Sequence, residues 1–130
     1  MKRYLLDTCT FLWFVSDDKK LPDMIRREIS LPANVVYLSP ASLWEAVLKQ
    51  QLGRITFPAD AATYLRQLRI KHGIQSLSID EDCLLHLGKL PALHRDPFDR
   101  ILVCQSLEHG LTILTPDEAI HRYPAKVLWE

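Results

Sequence analysis

Tyr4-Leu5-Leu6-Asp7-Thr8 is the stretch from which the fold is read: three apolar, β-prone residues run directly into a carboxylate and then into an apolar helical segment. So short an apolar run, ending on an acid, is the pattern of a fully buried strand at the centre of a parallel sheet. Asp7 then stands at its carboxyl end. Working outward, Val35–Leu38, Gln75–Ile79 and Thr112–Leu114 have the same character. Between them lie segments with helical spacing: Thr10–Ser16, Asp23–Ser30, Ala41–Gln51, Ala59–His72, Glu81–Gly88 and Phe98–His109, the last closed by Gly110. Strands alternating with helices predict an α/β fold, a three-layer α/β/α sandwich around a short central parallel sheet. No repeat, low-complexity segment or linker interrupts the 130 residues, so 1–130 is read as one domain.

Composition bounds the function only loosely. Sixteen basic and sixteen acidic side chains cancel, so no overall field draws in a polyanion, and nucleic-acid binding would have to rest on local clusters. Cys9, Cys83 and Cys104 are odd in number and widely spaced, with no CxxC pair or zinc-finger spacing, and read as buried free thiols in a reducing compartment. Asp7 breaks the first apolar run long before a signal peptide or membrane span could form, so a cytoplasmic protein without membrane association is expected.

The acids carry the functional signal, because they recur just after strands or just inside helices, where an open parallel sheet forms its ligand crevice. Asp7 follows the first strand and is equally suited to cap the next helix. Glu45 sits on a helix opened by Ser39 and Pro40, at the edge of an apolar arc of Ala41, Leu43, Trp44, Val47, Leu48 and Leu52. A solvated pair with Lys49, one turn on, would explain it as well. In His94-Arg95-Asp96-Pro97-Phe98-Asp99-Arg100, Asp96 before Pro97 has the form of an N-cap, which leaves Asp99 the better ligand candidate. In Thr115-Pro116-Asp117-Glu118 the capping box is complete with Thr115 and Glu118, so Asp117 is surplus to it. Four or five carboxylates converging on one sheet end would repel one another unless a cation or raised pKa values relieved them. An all-oxygen set suits Mg²⁺ or Mn²⁺ rather than zinc.

Leu-Leu-Asp7-Thr near the start, Ser-Leu-Trp-Glu45 on an early helix, His-Arg-Asp-Pro-Phe-Asp99-Arg before a late helix and Leu-Thr-Pro-Asp117-Glu after it together resemble the PIN domains, and in particular the VapC-type toxin nucleases. The resemblance spans nearly the whole chain and rests on order and spacing rather than on one motif. It implies a PIN-like nuclease domain that cleaves RNA with one or two Mg²⁺ or Mn²⁺ ions, leaving 5′-phosphate and 3′-hydroxyl ends. Carried over by position, it implies catalytic and metal-binding roles for Asp7, Glu45, Asp99 and Asp117, with Asp96 a further acid able to exchange roles with Asp99, and Thr115 assisting as a hydroxyl. The partners implied are an RNA substrate, a cognate antitoxin and a second copy of the chain.

An acidic site needs cations to receive an RNA backbone; Arg95, Arg100 and Lys49 lie nearest in sequence, and ordinary surface solvation explains them equally. The Phe11-Leu12-Trp13-Phe14-Val15 helix, apolar all round, is either wholly buried or part of a protein interface. An aspartyl-nucleophile phosphatase of the haloacid-dehalogenase pattern fails because Cys9 stands where the second Asp is needed. A receiver domain fails because Leu5-Leu6-Asp7 supplies a single acid. A cellular PIN nuclease of RNA processing without an antitoxin, or a catalytically silent PIN-like module binding RNA or protein, remains an alternative.

Overall fold

The protein is described by a computed structural model covering residues 1–92 and 96–130. Its elements run β1 (Arg3–Leu6), α1 (Thr8–Val15), α2 (Asp23–Ser30), β2 (Val35–Leu38), α3 (Pro40–Gln51), α4 (Ala61–Lys71), β3 (Gln75–Ser76), α5 (Glu81–Leu84), a 3₁₀ turn (Leu87–Lys89), α6 (Pro97–His109), β4 (Thr112–Leu114), α7 (Glu118–His121) and β5 (Val127–Leu128). All the strand pairs are parallel, in the order β3-β2-β1-β4-β5. Leu6 lies between Leu38 and Leu114, so β1 is the central strand that its apolar run predicted.

Successive side chains of a strand face opposite sides of the sheet, and each side here has its own core. Tyr4 and Leu6 join Val36, Leu38 and Leu114 in one cluster, covered by Phe11 of α1, Ile25 and Ile29 of α2, Ala46 of α3 and Leu65 of α4. Leu5 and Ile113 turn the other way, onto Leu102 and Val103 of α6 and Ile120 of α7. These two faces make the three layers. Tyr4 also ties β1 to α2 through a hydroxyl that donates to Glu28 at 3.0 Å. Among the described residues no helix is long and apolar enough to cross a membrane.

The elements differ from the sequence reading in specific places. β3 stops at Ser76 rather than Ile79: the Leu77 amide makes one more bond to β2, at the Leu38 carbonyl at 3.0 Å, and the Leu77 and Ser78 carbonyls then accept from the buried Gln105 side chain at 2.9 and 3.2 Å. β5, two residues long, shows no periodicity and was not anticipated. The segment expected to be one helix over Glu81–Gly88 divides into α5 and the 3₁₀ turn. Gly110 does close α6, in the left-handed conformation at φ 64°.

The largest correction concerns α3. Its buried face is Ala41, Ser42 and Ala46, while Trp44, Leu48 and Leu52, which the apolar arc placed inside, are 57%, 38% and 65% exposed. The Phe11–Val15 helix resolves the other way: Phe11 is buried, and Leu12, Trp13, Phe14 and Val15 pack half-buried on the first cluster.

Leu5→Ala removes a side chain with no exposure and should cost about 2 to 5 kcal/mol in urea unfolding. Leu52→Ala should change stability by no more than about 0.5 kcal/mol, since its side chain is largely in water. A comparable loss for both would show that Leu52 is covered in solution.

Candidate active site

The chain steps from β1 outward through β2 to β3, then returns to the other side of β1 as β4. Strand order therefore reverses between β1 and β4, and in open α/β sheets the crevice beyond the strands' carboxyl ends at such a reversal is the binding site. The residues that follow these two strands are Asp7 and Thr115.

Asp7 is 4% exposed. One carboxylate oxygen caps α1, accepting from the Thr10 amide at 2.8 Å, and the other accepts from the Thr115 hydroxyl. The Thr115 oxygen in turn accepts from the Asp117 amide at 3.0 Å. Thr10 completes the joint by donating its hydroxyl to the Leu114 carbonyl at 2.9 Å. The Cys9 thiol lies 3.4 and 3.5 Å from the two Asp7 oxygens and donates to them. Burial, and then the Asp7 charge, push the Cys9 pKa far up, so this thiol stays protonated and is no nucleophile.

Thr115 was expected to cap α7 and leave Asp117 spare. Instead Asp117 is the cap, accepting from the Ala119 amide at 2.8 Å, and Thr115 is drawn inward to Asp7. The other assignments of caps hold: Asp96 accepts from Phe98 N at 2.9 Å, and Ser39 accepts from Ala41 N at 3.1 Å. Asp99 lies in the first turn of α6. Glu45, its side chain 14% exposed, has Lys49 Nζ at 3.4 Å. The two helices meet where Trp44 packs edge-on against Phe98, centroids 5.0 Å apart, and the residues next in sequence, Glu45 and Asp99, line the same cavity.

Asp7, Glu45, Asp96, Asp99 and Asp117 all line one cavity of about 300 Å³, together with Thr8, Cys9, Lys49 and Pro116. The expected acids are thus brought together. A larger cavity, about 570 Å³, opens at the opposite end of the strands among Arg3, Gly110 and Lys126, and its described lining contains no carboxylate side chain. Thr8 and Cys9 were not among the site residues expected from the sequence, where only their adjacency to Asp7 places them there. Arg100 does not line the acidic cavity: its guanidinium donates to the Pro91 and Leu87 carbonyls and the Tyr123 hydroxyl at 3.1, 3.3 and 3.1 Å. These contacts engage the Arg100 guanidinium within the protein, whereas Lys49 lines the cavity. Arg95 lies outside the described residues.

The cavity's chemistry fits a hard divalent cation. Its acids are oxygen donors, and the buried Asp7 carboxylate is met by an amide, a hydroxyl and a thiol rather than by a cationic side chain among the described residues. Among the described residues no three His, Cys, Asp or Glu side chains form a group that could hold an ion by themselves, and the acids come together as the lining of this one cavity.

Burial holds the Asp7 carboxyl above the usual carboxylate range, against the hydrogen bonds from Thr10, Thr115 and Cys9 that act to lower it. A group whose pKa rises on folding favours the fold while protonated, so the metal-free protein should lose stability as pH rises through that elevated pKa. Asn retains an N-capping oxygen but does not titrate. In EDTA, Asp7→Asn should therefore melt above the wild type at neutral pH, with the gap closing as pH falls below the ordinary carboxylate range. A variant that melts lower at neutral pH would show that Asp7 is stabilising when charged.

The PIN domain family model matches residues 4–126. The fold is similar to that of a chain of VapBC2 from Rickettsia felis, solved bound to a DNA fragment from its promoter: TM-score 0.75, 15% identity, covering 98% of this chain and 99% of that one. It is also similar to DNA-bound VapBC from Salmonella typhimurium, with a TM-score of 0.69 at 18% identity over 98% of each chain. VapBC-5 from Mycobacterium tuberculosis, a member of the VapBC family of toxin-antitoxin systems, gives a TM-score of 0.56 at 17% identity over 98% of this chain and 97% of that one. No curated protein matches the chain. A family model spanning almost all of the sequence, joined to a parallel sheet with its acids at the strand reversal, makes this chain a member of the PIN domain family.

Proposed function

We propose that this protein is a Mg²⁺- or Mn²⁺-dependent endoribonuclease and the toxin of a toxin–antitoxin pair. The observation that carries the reading is the meeting of five carboxylates, carried by four separate helices and their caps, in one cavity at the strand reversal, with the buried Asp7 among them. Family membership and the fold shared with VapBC proteins support the nuclease class and the antitoxin partner.

In the reaction, water adds to phosphorus of an RNA phosphodiester, the bond to the 3′ oxygen breaks, and that oxygen leaves with a proton, giving 5′-phosphate and 3′-hydroxyl ends. Asp7, Glu45, Asp99 and Asp117 would hold the ion, with Asp96 at hand in the same turn as Asp99. When bound, the ion supplies Lewis-acid stabilisation of charge on the phosphate and makes water more acidic. The chain's own contribution is preorganisation: Asp7 is fixed by Thr10 and Thr115 before substrate arrives, so no reorientation is spent at the moment of reaction. Lys49, lining the cavity beside Glu45, offers a cation to an approaching phosphate in an otherwise acidic surround. A homodimer acting in the cytoplasm, held inactive by an antitoxin, completes the proposal.

Purified protein freed of any partner should cut RNA in Mg²⁺ or Mn²⁺ and not in EDTA. Asp7→Asn or Asp99→Asn should reduce the rate by about a hundredfold or more. Expression of the wild type, but not of Asp7→Asn, should arrest growth of a bacterial host. Cutting that persists in EDTA or survives Asp7→Asn would overturn the metal-dependent site.

Lys49→Ala should flatten the dependence of RNA binding on salt by about one ion. Arg100→Ala should leave that slope unchanged and instead lower the melting temperature, because it abandons the Leu87 and Pro91 carbonyls. The reverse pattern would restore Arg100 as the phosphate contact.

A further inference from the structure

Thr8 is the first residue of α1, 6% exposed, and lines the acidic cavity beside Asp7. Its hydroxyl is buried and finds no hydrogen-bond partner among the described residues. Its position explains why. A threonine inside a helix can donate to the carbonyl three or four residues back, but those belong here to Tyr4 and Leu5, residues of the central strand that pair with β2 and β4.

Leaving a buried hydroxyl unpaired costs on the order of 1 to 3 kcal/mol, and nearly all such groups in folded proteins are satisfied. Valine would fill the same space at no such cost. The Ser42 and Gln105 side-chain oxygens are also buried and unpartnered, but neither residue lines the acidic cavity. Thr8 therefore joins two independent observations, an orphaned buried hydroxyl and a place in the wall of an oxygen-donor site.

Resting on the nuclease reading above, we propose that the Thr8 hydroxyl is a positioning group for a divalent cation in this cavity, making its missing hydrogen bond to water in the ion's hydration shell. The cavity of about 300 Å³ that the acids and Thr8 line has room for an ion that keeps part of its hydration. A hydroxyl fixed in the wall orients that water without adding charge to an already acidic site. Asp7 and Thr8, adjacent in the chain, then have complementary parts: one supplies charge, the other fixes the hydration around it.

The test is Mn²⁺ binding by the full chain, followed by calorimetry without RNA, alongside metal-free thermal melts. Thr8→Val should weaken Mn²⁺ binding about tenfold. Thr8→Ser, which keeps the hydroxyl, should bind close to the wild type. In EDTA the melting temperature of Thr8→Val should equal or exceed that of the wild type, since no hydrogen bond within the protein is lost. Wild-type Mn²⁺ affinity in Thr8→Val would overturn the inference while leaving the nuclease reading intact. A lowered metal-free melting temperature would also overturn it, by giving the hydroxyl a structural partner. A wild-type protein that binds no Mn²⁺ at all would remove both.

Discussion

Burying the Asp7 carboxylate at the seam between β1 and β4 is the constraint on which the rest of the structure depends. Asp7 follows the central strand, caps α1 through the Thr10 amide and accepts the Thr115 hydroxyl from the far side of the seam. Thr10 and the Leu114 carbonyl close the same junction. The centre of the candidate site is thus also a joint of the fold. Its cost is a carboxylate taken out of water without a cationic partner among the described residues, the condition that raises its pKa and suits it to a cation.

The geometry of parallel α/β units explains why so many acids arrive at one place. Each helix that follows a strand begins at that strand's carboxyl end, so its N-cap and first turn lie at the same edge of the sheet. Asp7, Asp96 and Asp117 are all caps, Asp99 is in a first turn, and all line the cavity. A capping role and a place in the site are therefore not competing explanations of these residues. The helix ends that the acids cap also carry partial positive charge, which offsets some of the repulsion among them in α1 and α6. Glu45 arrives by another route, from within α3, where the Trp44–Phe98 contact holds α3 against the start of α6.

The same pairing of local role and tertiary placement accounts for three features that the structure places differently from the sequence reading. Thr115 had every local sign of an N-cap, yet its hydroxyl goes to Asp7, because the Asp7 carboxylate lies beside it in the register of β1 and β4. Arg100 looked like a free cation near an acidic turn, but three acceptors on the neighbouring segments hold its guanidinium. On α3 the apolar arc holds for Ala41, Leu43 and Val47 but not for Trp44, Leu48 and Leu52, because the fully buried face is the small-residue set Ala41, Ser42 and Ala46. Small side chains let neighbouring helices approach closely, and a count of large apolar residues does not register that.

The sequence by itself determined the alternation of strands and helices, the central place of β1, and the order of the acids along the chain. These depend on local periodicity, on proline and capping residues, and on the brevity of apolar runs, all of which act within a few neighbouring residues. Tertiary structure alone decided that the Gln105 side chain takes the carbonyls just beyond β3, that Val127 and Leu128 extend the sheet as β5, which face of α3 is buried, and that Thr8 is left in the wall of the cavity with an unpaired hydroxyl. Each of these depends on a partner more than a dozen residues away or on space left between elements, and no local pattern carries that information.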